Sequence, residues 1–395
     1  MSSPSNRFPA HYALFLIAYY VTNSVYQGYL SLYYNSLGFS SAQMGAIFAA
    51  VALVSIFTQP FWGMCGDRMR SRNTLLRLLA AASLLSMLAF TLSSRYLPLL
   101  LLACVFACFY TAIQPLGDSI ILENLQKGDH PFGPIRLAAG LAFAVSSLAF
   151  GQVLNAPGRE NWSVYIIAAL CGVIILATFV LPKTAGQQAV GGRKMSFAAL
   201  FRQKDLMRLM GFTALLMLTM GYFYTFFSPH FVSLEGGNSG LLGWSYFISA
   251  CSEVPFLLMS DKLFDRIGIG KLMSISALAL TARWLILALS HNYVVVMCSQ
   301  VFHGWGFIVI TVGMAKYINL TVPPELKSTG QLLLGAVSFG VARAVGNLGG
   351  GLLADAVGRQ NVFFLSAAVC LTTFLVFGLY FLRREPMNGR TGQGQ

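Results

Sequence analysis

The chain has 395 residues, of which 56% are hydrophobic and only 10% are charged, and its formal net charge is +13. A soluble globular chain carries roughly a quarter of its residues charged, so this composition excludes an ordinary soluble domain and indicates a chain embedded in lipid. The basic residues lie in short polar intervals between apolar runs, not in a patch interleaved with aromatic residues, so no nucleic-acid partner is expected.

Apolar runs long enough to cross a bilayer recur from one end of the chain to the other. A membrane-spanning helix needs about 20 mostly apolar residues. Because lipid cannot hydrogen-bond exposed backbone amides, such runs are predicted to be helices, and the predicted fold class is all-α with twelve transmembrane helices. The predicted spans are 11–34, 42–65, 74–94, 98–123, 136–155, 162–181, 207–232, 240–260, 271–290, 293–318, 329–353 and 361–382.

The distribution of positive charge predicts the orientation of these helices, since cytoplasmic loops retain Lys and Arg. With a cytoplasmic N-terminus, twenty of the 26 Lys and Arg residues fall on the cytoplasmic side, and only Arg95, Arg159 and Arg359 fall on the other. We therefore expect a multi-pass protein of the bacterial inner membrane with both termini in the cytoplasm. Residues 1–9 carry no signal-peptide pattern, so the first helix is expected to stay in the mature chain.

The longest polar interval divides the chain into two groups of six predicted helices. It predicts an N-terminal bundle over 1–181, a cytoplasmic linker over 182–206, and a C-terminal bundle over 207–395 with a short cytoplasmic tail. The loops predicted after the second and eighth helices both combine Asp with Arg. This repetition suggests a duplication and two pseudo-symmetric halves.

The loop after the second predicted helix contains a Gly-x-x-x-Asp-Arg pattern formed by Gly63, Asp67 and Arg68. The pattern resembles the loop found at that place in the major facilitator superfamily. In that superfamily the two halves rock about a site near the middle of the membrane and expose it to one side at a time. The resemblance implies that these three residues take part in gating. The alternative is a solvated loop that only sets the topology.

Within that superfamily the chain most resembles the oligosaccharide:proton symporters typified by lactose permease. The resemblance covers the whole chain and rests on the segments 45–50, 59–63, 115–118 and 132–136, and on Arg283 and His303, twenty residues apart. It implies uptake of a sugar together with a proton. Relatives that carry phenylpropionate-like aromatic acids or nucleosides have similar residues, so these solutes are open alternatives.

Five charged side chains are predicted to lie inside the membrane, where each costs at least about 2.5–3.5 kcal/mol near the bilayer centre and must face a cavity or a partner. They are Asp118, Arg136, Glu253, Arg283 and Arg343, with His303 as a titratable companion. Two carboxylates and three guanidinium groups leave one positive charge in excess. An anionic solute would supply the missing negative charge, so sugar acids and aromatic acids are alternatives to neutral oligosaccharides.

Asp118 and Arg136 resemble the sugar-binding ion pair of that family. Arg presents a fork of donors and a carboxylate presents acceptors, so the pair suits a solute with many hydroxyl groups. The alternative is an ion pair that only joins the fourth and fifth helices. Phe143 lies two turns after Arg136, where the family's sugar transporters place an indole, so its phenyl ring is a candidate for stacking.

Four further polar or aromatic residues are candidates for lining the solute site. Asn23, Tyr26 and Gln27 lie close together in the first predicted helix, and Tyr224 lies in the seventh. The alternatives are ordinary helix–helix hydrogen bonds for the first three residues and a membrane-interface anchor for Tyr224.

The coupling residues depart from the family pattern. The position three residues after His303, where the family has its proton-carrying carboxylate, is Gly306. One interior carboxylate, Glu253, remains in the second half. Because desolvation favours a neutral carboxyl group, we expect Glu253 to carry the proton. Arg283, His303 and Arg343 are expected to modulate its proton affinity. The alternative is that Glu253 only neutralises Arg283 or Arg343.

These features together predict a secondary active transporter that moves a small polar nutrient with a proton by alternating access. A proton-coupled exporter of drugs or metabolites is the competing function. The sequence contains no metal-ligand set, nucleophile–base pair or nucleotide loop, so neither an enzyme nor a metal site is expected. The expected partners are a small-molecule substrate and the lipid bilayer, the expected state is a monomer, and no cofactor is expected beyond the proton gradient.

Overall fold

The chain folds almost entirely into helices. The computed structural model describes residues 10–128, 132–156, 158–186, 200–323 and 326–383. Within these ranges the only strand-type pairing is a single bridge between Glu235 and Asn292. The predicted all-α fold class is therefore confirmed.

Within the described residues, nine long helices run without interruption through the first three quarters of the chain. They are α1 (Ala10–Ser36), α2 (Ser41–Arg68), α3 (Arg72–Ala89), α4 (Tyr96–Gly128), α5 (Gly133–Val153), α6 (Trp162–Thr178), α7 (Lys204–Ser233), α8 (Ser239–Ile267) and α9 (Ile269–Leu289). Each bound lies within a few residues of the predicted span, except at the C-terminal end of α8.

The last three helices each contain a segment of different winding. Helix α10 consists of Tyr293–Cys298, a 3-10 turn over Ser299–Val301, a π-helical segment over Gly304–Ile308, and Val309–Thr321. Helix α11 consists of Lys327–Leu334, π-helical Gly335–Ala342 and Arg343–Val357. Helix α12 consists of Arg359–Thr373, π-helical Phe374–Gly378 and Leu379–Arg383.

Most of these helices are long and apolar enough to cross a membrane. Among the described residues, nine meet this criterion, and the two parts of α10, bent by 41°, make a tenth if they form one span. Helix α6 is shorter, with 17 residues, and α1 contains many tyrosines, which lower its hydropathy. A multi-pass helical membrane protein is confirmed, whereas the number of twelve spans stays a prediction.

Residue contacts divide the chain into two units. The first unit comprises Met1–Phe39, Ala50–Gly192 and Ser239–Phe247. In it α1 packs against α5 and α6, and α3 packs against α4 and α6. The Tyr29 hydroxyl donates to the carbonyl of Ser147 at 2.8 Å, and the hydroxyls of Ser146 and Ser24 lie 2.9 Å apart. Such hydrogen bonds stabilise contacts between membrane helices, here α1 and α5.

The second unit has its core around α7, α9, α11 and α12. It comprises Ser40–Ala49, Arg193–Asn238 and Ile248–Gln395. The first turns of α2 belong to it because Gly45 packs against Asn347 and Gly351 of α11. A Cβ atom on Gly45 would collide with the Asn347 carbonyl oxygen, so glycine is required for this approach.

The contact-based units differ from the predicted bundles in that α2 and α8 each contribute to both units. The division into 1–181, 182–206 and 207–395 stays a prediction. Residues 187–199 of the predicted linker, the N-terminal residues 1–9 and the tail 384–395 lie outside the described residues.

Two segments that the sequence predicted as loops are helical. Gly63, Asp67 and Arg68 lie in the last two turns of α2, and α8 continues to Ile267. The prediction was wrong because hydropathy drops where charged residues begin, whereas a helix can extend beyond the apolar layer. Helix α8 ends at Gly268, whose φ of +91° lies in the region that favours glycine.

Candidate functional site

Asp118 of α4 and Arg136 of α5 approach each other in the first unit. Arg136 Nη1 lies 3.8 Å from Asp118 Oδ2, and their side chains are 40% and 24% exposed, respectively. The second carboxylate oxygen of Asp118, Oδ1, is buried and accepts no hydrogen bond from the described residues. A loose ion pair with a spare acceptor can form hydrogen bonds with the hydroxyl groups of a solute.

Two residues that the sequence analysis did not single out complete this cluster. The Arg136 guanidinium lies 4.8 Å from the centre of the Tyr20 ring. Gln114 Nε2 donates to the Tyr20 hydroxyl at 3.4 Å. Gln114 lies one turn before Asp118 on the same face of α4. A search for polar residues one turn from each interior charge would have found it.

The predicted residues of α1 divide between two environments. Asn23 and Gln27 lie on the same face of α1 as Tyr20, and their side chains are half-buried. Tyr26 packs against the rings of Phe106 and Tyr110, with centroid distances of 5.3 and 5.2 Å. The first two residues therefore continue the polar face of the cluster, whereas Tyr26 belongs to an aromatic contact. Their binding of a solute stays a prediction.

Phe143 lies two turns after Arg136 on α5, and its ring is half-buried. Its backbone carbonyl accepts hydrogen bonds from the hydroxyls of Ser146 and Ser147 at 3.1 and 2.7 Å. Stacking of Phe143 on a solute stays a prediction.

The predicted coupling residues of the second unit meet where α10 bends. His303 lies immediately before the π-helical segment, at the break between the two parts of α10. Gly304 N donates to Ser252 Oγ of α8 at 2.9 Å, and a Cβ atom on Gly304 would collide with the Ser252 carbonyl. This close approach brings His303 beside Glu253. π-Helical segments are frequent at functional sites.

His303 lies between Arg283 and Glu253. Arg283 Nη1 lies 2.9 Å from His303 Nδ1, and His303 Nε2 lies 3.1 Å from Glu253 Oε1. An arginine side chain has donors only, so Nδ1 must accept and the ring proton must sit on Nε2, facing the carboxylate. The hydrogen-bond network thus assigns a neutral His303 that donates to Glu253.

Burial decreases from Arg283 to Glu253. Arg283 is 0% exposed, and the side chains of His303 and Glu253 are 6% and 25% exposed. The Glu253 side chain is therefore the least buried member of this chain of contacts.

Gln300 accepts a hydrogen bond from the second terminal nitrogen of the Arg283 guanidinium. Its Oε1 accepts hydrogen bonds from Arg283 Nη2 and, at 3.2 Å, from the Ser249 hydroxyl. Its Nε2 donates to the carbonyl of Val296 at 3.0 Å. These bonds orient the guanidinium so that Nη1 faces His303. The sequence analysis missed this role, although the spacing of three residues before His303 places Gln300 nearly one turn away.

Tyr224 and Arg343 flank His303 in the same unit. The Tyr224 hydroxyl lies 3.5 Å from His303 Nε2. The Arg343 guanidinium lies 4.6 Å from the centre of the Tyr224 ring and 5.4 Å from that of Phe339. The structure therefore brings the predicted coupling residues together. It also places Tyr224 with them, and not in the unit that contains Asp118.

Among the three predicted gating residues, Asp67 takes part in an ion-pair network that connects helices. Arg72 Nη2 lies 3.1 Å from Asp67 Oδ1, and Arg72 Nη1 lies 3.0 Å from Glu123 Oε2. The network connects α2, α3 and α4 around a buried arginine, since the Arg72 side chain is 7% exposed, whereas that of Asp67 is 49% exposed. Arg68 is exposed, and open space surrounds the position that a Cβ atom on Gly63 would take. A role in gating stays a prediction for all three residues.

The two clusters offer hydrogen bonding and proton exchange. The first unit presents donors and acceptors to a polar solute, and the second presents a titratable carboxylate beside a buried arginine. Across the described ranges, no group of three or more His, Cys, Asp or Glu side chains is arranged to hold a metal ion.

Comparison with known proteins identifies the family. The model of the MFS_1 like family matches residues 10–365. A maltose permease of Geobacillus stearothermophilus is 26% identical over 97% of this chain and 95% of that protein. A probable 3-phenylpropionic acid transporter of Escherichia coli K12 is 24% identical over 91% of this chain and 94% of that protein. A crystal structure of the nucleoside transporter NupG has the same fold, with a TM-score of 0.81 at 17% identity over 95% of this chain and 99% of that chain. The chain therefore belongs to the MFS_1 like family of the major facilitator superfamily and is a membrane transporter, not an enzyme.

Proposed function

We propose that the chain is a proton-coupled symporter that takes up a small polar solute by alternating access. The solute is an oligosaccharide or a related hydroxylated or carboxylated compound. The single observation that carries the proposal is the chain of contacts from buried Arg283 through His303 to Glu253, in which the last step spans 3.1 Å.

The solute is proposed to bind at Asp118 and Arg136. Their ion pair is long, at 3.8 Å, and part-exposed, so hydroxyl groups of a solute can insert between the carboxylate and the guanidinium. Tyr20 and Gln114 add one hydroxyl and one amide to the same cluster. Phe143, Asn23 and Gln27 extend the site along α5 and α1, and Tyr26 supports the aromatic side of α1.

The proton is proposed to bind to Glu253. The Glu253 side chain is 25% exposed, so part of the carboxylate is not covered by protein in the present conformation. A conformational change that buried it further would favour the neutral carboxyl group, because desolvation penalises the charged form. His303 can donate to Glu253 in both protonation states, so the contact persists while the charge changes. This links the conformational change to proton uptake.

The experiment replaces Glu253 by Gln in protein reconstituted into liposomes. A thermal-shift screen of sugars, sugar acids, aromatic acids and nucleosides first identifies a ligand. For the wild type, an inwardly directed proton gradient is expected to drive accumulation of this ligand against its own gradient. Glu253→Gln is expected to abolish accumulation and to retain exchange of labelled for unlabelled solute.

The matched control is Glu235→Gln, the same chemical change at an exposed carboxylate outside the cluster. It is expected to accumulate solute as the wild type does. Accumulation by Glu253→Gln at the wild-type level would refute the assignment of the proton to this residue.

We also propose the location, the oligomeric state and the cofactor requirement of the protein. The protein resides in the bacterial inner membrane with both termini in the cytoplasm, acts as a monomer, and uses no cofactor beyond the proton gradient. Uptake of an aromatic acid is the second candidate, favoured by the similarity to a probable 3-phenylpropionic acid transporter. Proton-coupled export is tested in the same liposomes by reversing the direction of the proton gradient. Nucleoside binding is tested by including nucleosides in the thermal-shift screen.

A further inference from the structure

Arg343 places a positive charge near the middle of α11. It follows directly on the π-helical segment Gly335–Ala342, and its side chain is half-buried. The rings of Tyr224 and Phe339 lie beside its guanidinium at 4.6 and 5.4 Å. Both are neutral groups, so they pack against the cation without cancelling its charge.

Arg343 forms no ion pair with a carboxylate among the described residues. The Glu253 carboxylate is engaged by His303 at 3.1 Å. Arg343 Nε is buried and has no hydrogen-bond partner among the described residues. A charge in the middle of a membrane protein normally faces a partner or a functional cavity, and no carboxylate of the described residues supplies a negative counterpart for Arg343.

The charges around His303 make this deficit explicit. His303 is neutral because its Nδ1 accepts from Arg283. Of the charges predicted to lie inside the membrane, the described part of the second unit contains one negative charge, on Glu253, and two positive charges, on Arg283 and Arg343. These three groups together carry one excess positive charge when Glu253 is ionised and two when it is protonated. In the first unit, Asp118 and Arg136 balance each other.

We propose that the transported solute carries one carboxylate group and that Arg343, with Tyr224 beside it, binds this group. The inference rests on the proposed function, since it names the class of solute for the same transporter. Arginine is suited to this role because its planar fork of donors matches the two oxygens of a carboxylate. Arg343 is thus a specificity-determining residue.

The proposal has an electrical consequence. Protonation of Glu253 increases the positive charge near Arg343 and strengthens binding of the anion, so proton and carboxylate favour each other. A cycle that carries one proton with one carboxylate moves no net charge. A cycle that carries one proton with a neutral solute moves one positive charge. Measuring current therefore separates the two classes of solute.

The test uses two matched pairs of probes, in which an amide replaces the carboxylate. Glucuronate with glucuronamide represents hydroxylated solutes, and 3-phenylpropionate with 3-phenylpropionamide represents aromatic ones. In at least one pair, the carboxylate is expected to bind wild-type protein about tenfold or more tightly than the amide, as a charge-assisted hydrogen bond predicts. Equal or weaker binding of the carboxylate in both pairs would overturn the proposal.

Variants of Arg343 test the residue itself. Arg343→Gln is expected to reduce the ratio of carboxylate to amide affinity to about one, because the charge is removed, and Arg343→Lys is expected to retain part of the preference. The control is Arg95→Gln at an exposed position between α3 and α4, which is expected to retain the full ratio. An unchanged ratio in folded Arg343→Gln would refute the role of Arg343.

Transport by wild-type protein gives a measurement that does not depend on folding of a variant. Uptake of the carboxylate, driven by a pH gradient in liposomes, is expected to produce no steady current and to be insensitive to an imposed membrane potential. A current of one positive charge per solute would overturn the proposal. If the carboxylate binds in an Arg343-dependent way but a pH gradient has no effect on its uptake, proton coupling alone is refuted and the carboxylate site is retained. Uptake of the amides, driven by the pH gradient and without preference for the acids, would refute the carboxylate site alone.

Discussion

Arg283 Nη1 lies 2.9 Å from His303 Nδ1, and this contact determines which nitrogen of His303 carries its proton. Because the arginine can only donate, the imidazole presents an N–H to Glu253 from the other nitrogen, Nε2. The arginine is oriented in turn by the amide of Gln300. A fully buried cation is thus connected through a neutral ring to a carboxylate that is only partly buried.

Replacement of His303 by Gln is expected to preserve part of the coupling, whereas replacement by Leu is expected to abolish it. The amide oxygen of Gln can accept from Arg283 while its nitrogen donates to Glu253, as neutral His303 does. Leu removes both bonds, and loss of a hydrogen bond to a charged group costs about 1.5–3 kcal/mol. The measurement is accumulation driven by a pH gradient, with the thermal unfolding midpoint recorded for both variants. Equal activities of the two variants would show that hydrogen bonding by His303 is irrelevant.

Asp118→Asn is expected to weaken solute binding without destabilising the protein. Loss of a hydrogen bond to a charged group costs about 1.5–3 kcal/mol, or tenfold to more than a hundredfold in affinity. The ion pair with Arg136 is long and part-exposed, and such pairs contribute less than about 1 kcal/mol to folding. Titration calorimetry measures the affinity and a thermal melt measures the stability. The reverse result, lower stability with unchanged affinity, would support a purely structural ion pair between α4 and α5.

Asp355→Ala is expected to lower stability by about 0.5–2 kcal/mol, the usual effect of removing a helix N-cap. The two carboxylate oxygens of Asp355 accept hydrogen bonds from the backbone N–H groups of Ser41 and Ala42, at 2.8 and 2.9 Å. These groups lie in the first turn of α2 and have no partner within the helix. Unfolding in detergent, followed by tyrosine and tryptophan fluorescence, measures the change. Asp355→Asn retains one acceptor oxygen and is expected to lower the stability less than Asp355→Ala does. A larger loss of stability in Asp355→Asn than in Asp355→Ala would contradict the capping role.

A C-terminal fusion to green fluorescent protein is expected to be fluorescent, because the predicted topology places the C-terminus in the cytoplasm, where that protein folds. The control moves the fusion point to the interval after α7, near Glu235, which the same topology places outside. Fluorescence of the second fusion together with silence of the first would reverse the predicted orientation.

Local sequence patterns predicted the helices well because hydropathy is a property of each segment by itself. The span predicted as 11–34 is Ala10–Ser36, and that predicted as 271–290 is Ile269–Leu289. The prediction was wrong at the end of α8, where charged residues continue a helix to Ile267. The π-helical segments of α10, α11 and α12 were not predicted either. One extra residue in a turn changes the hydrogen-bond pattern without changing the composition.

The sequence by itself determined that this is an all-α membrane protein with few interior charges, and it identified Arg283, His303 and Glu253 as members of one set. Only the tertiary structure decided how they pair: Glu253 contacts His303, Gln300 orients Arg283, and Arg343 lies against Tyr224. The physical reason is that hydropathy and charge act over one segment, whereas partners depend on how each helix is rotated and bent against its neighbours. In α10 the position of His303 beside its partners depends on a 41° bend and on the close approach of Gly304 to Ser252, and no local sequence pattern encodes either feature.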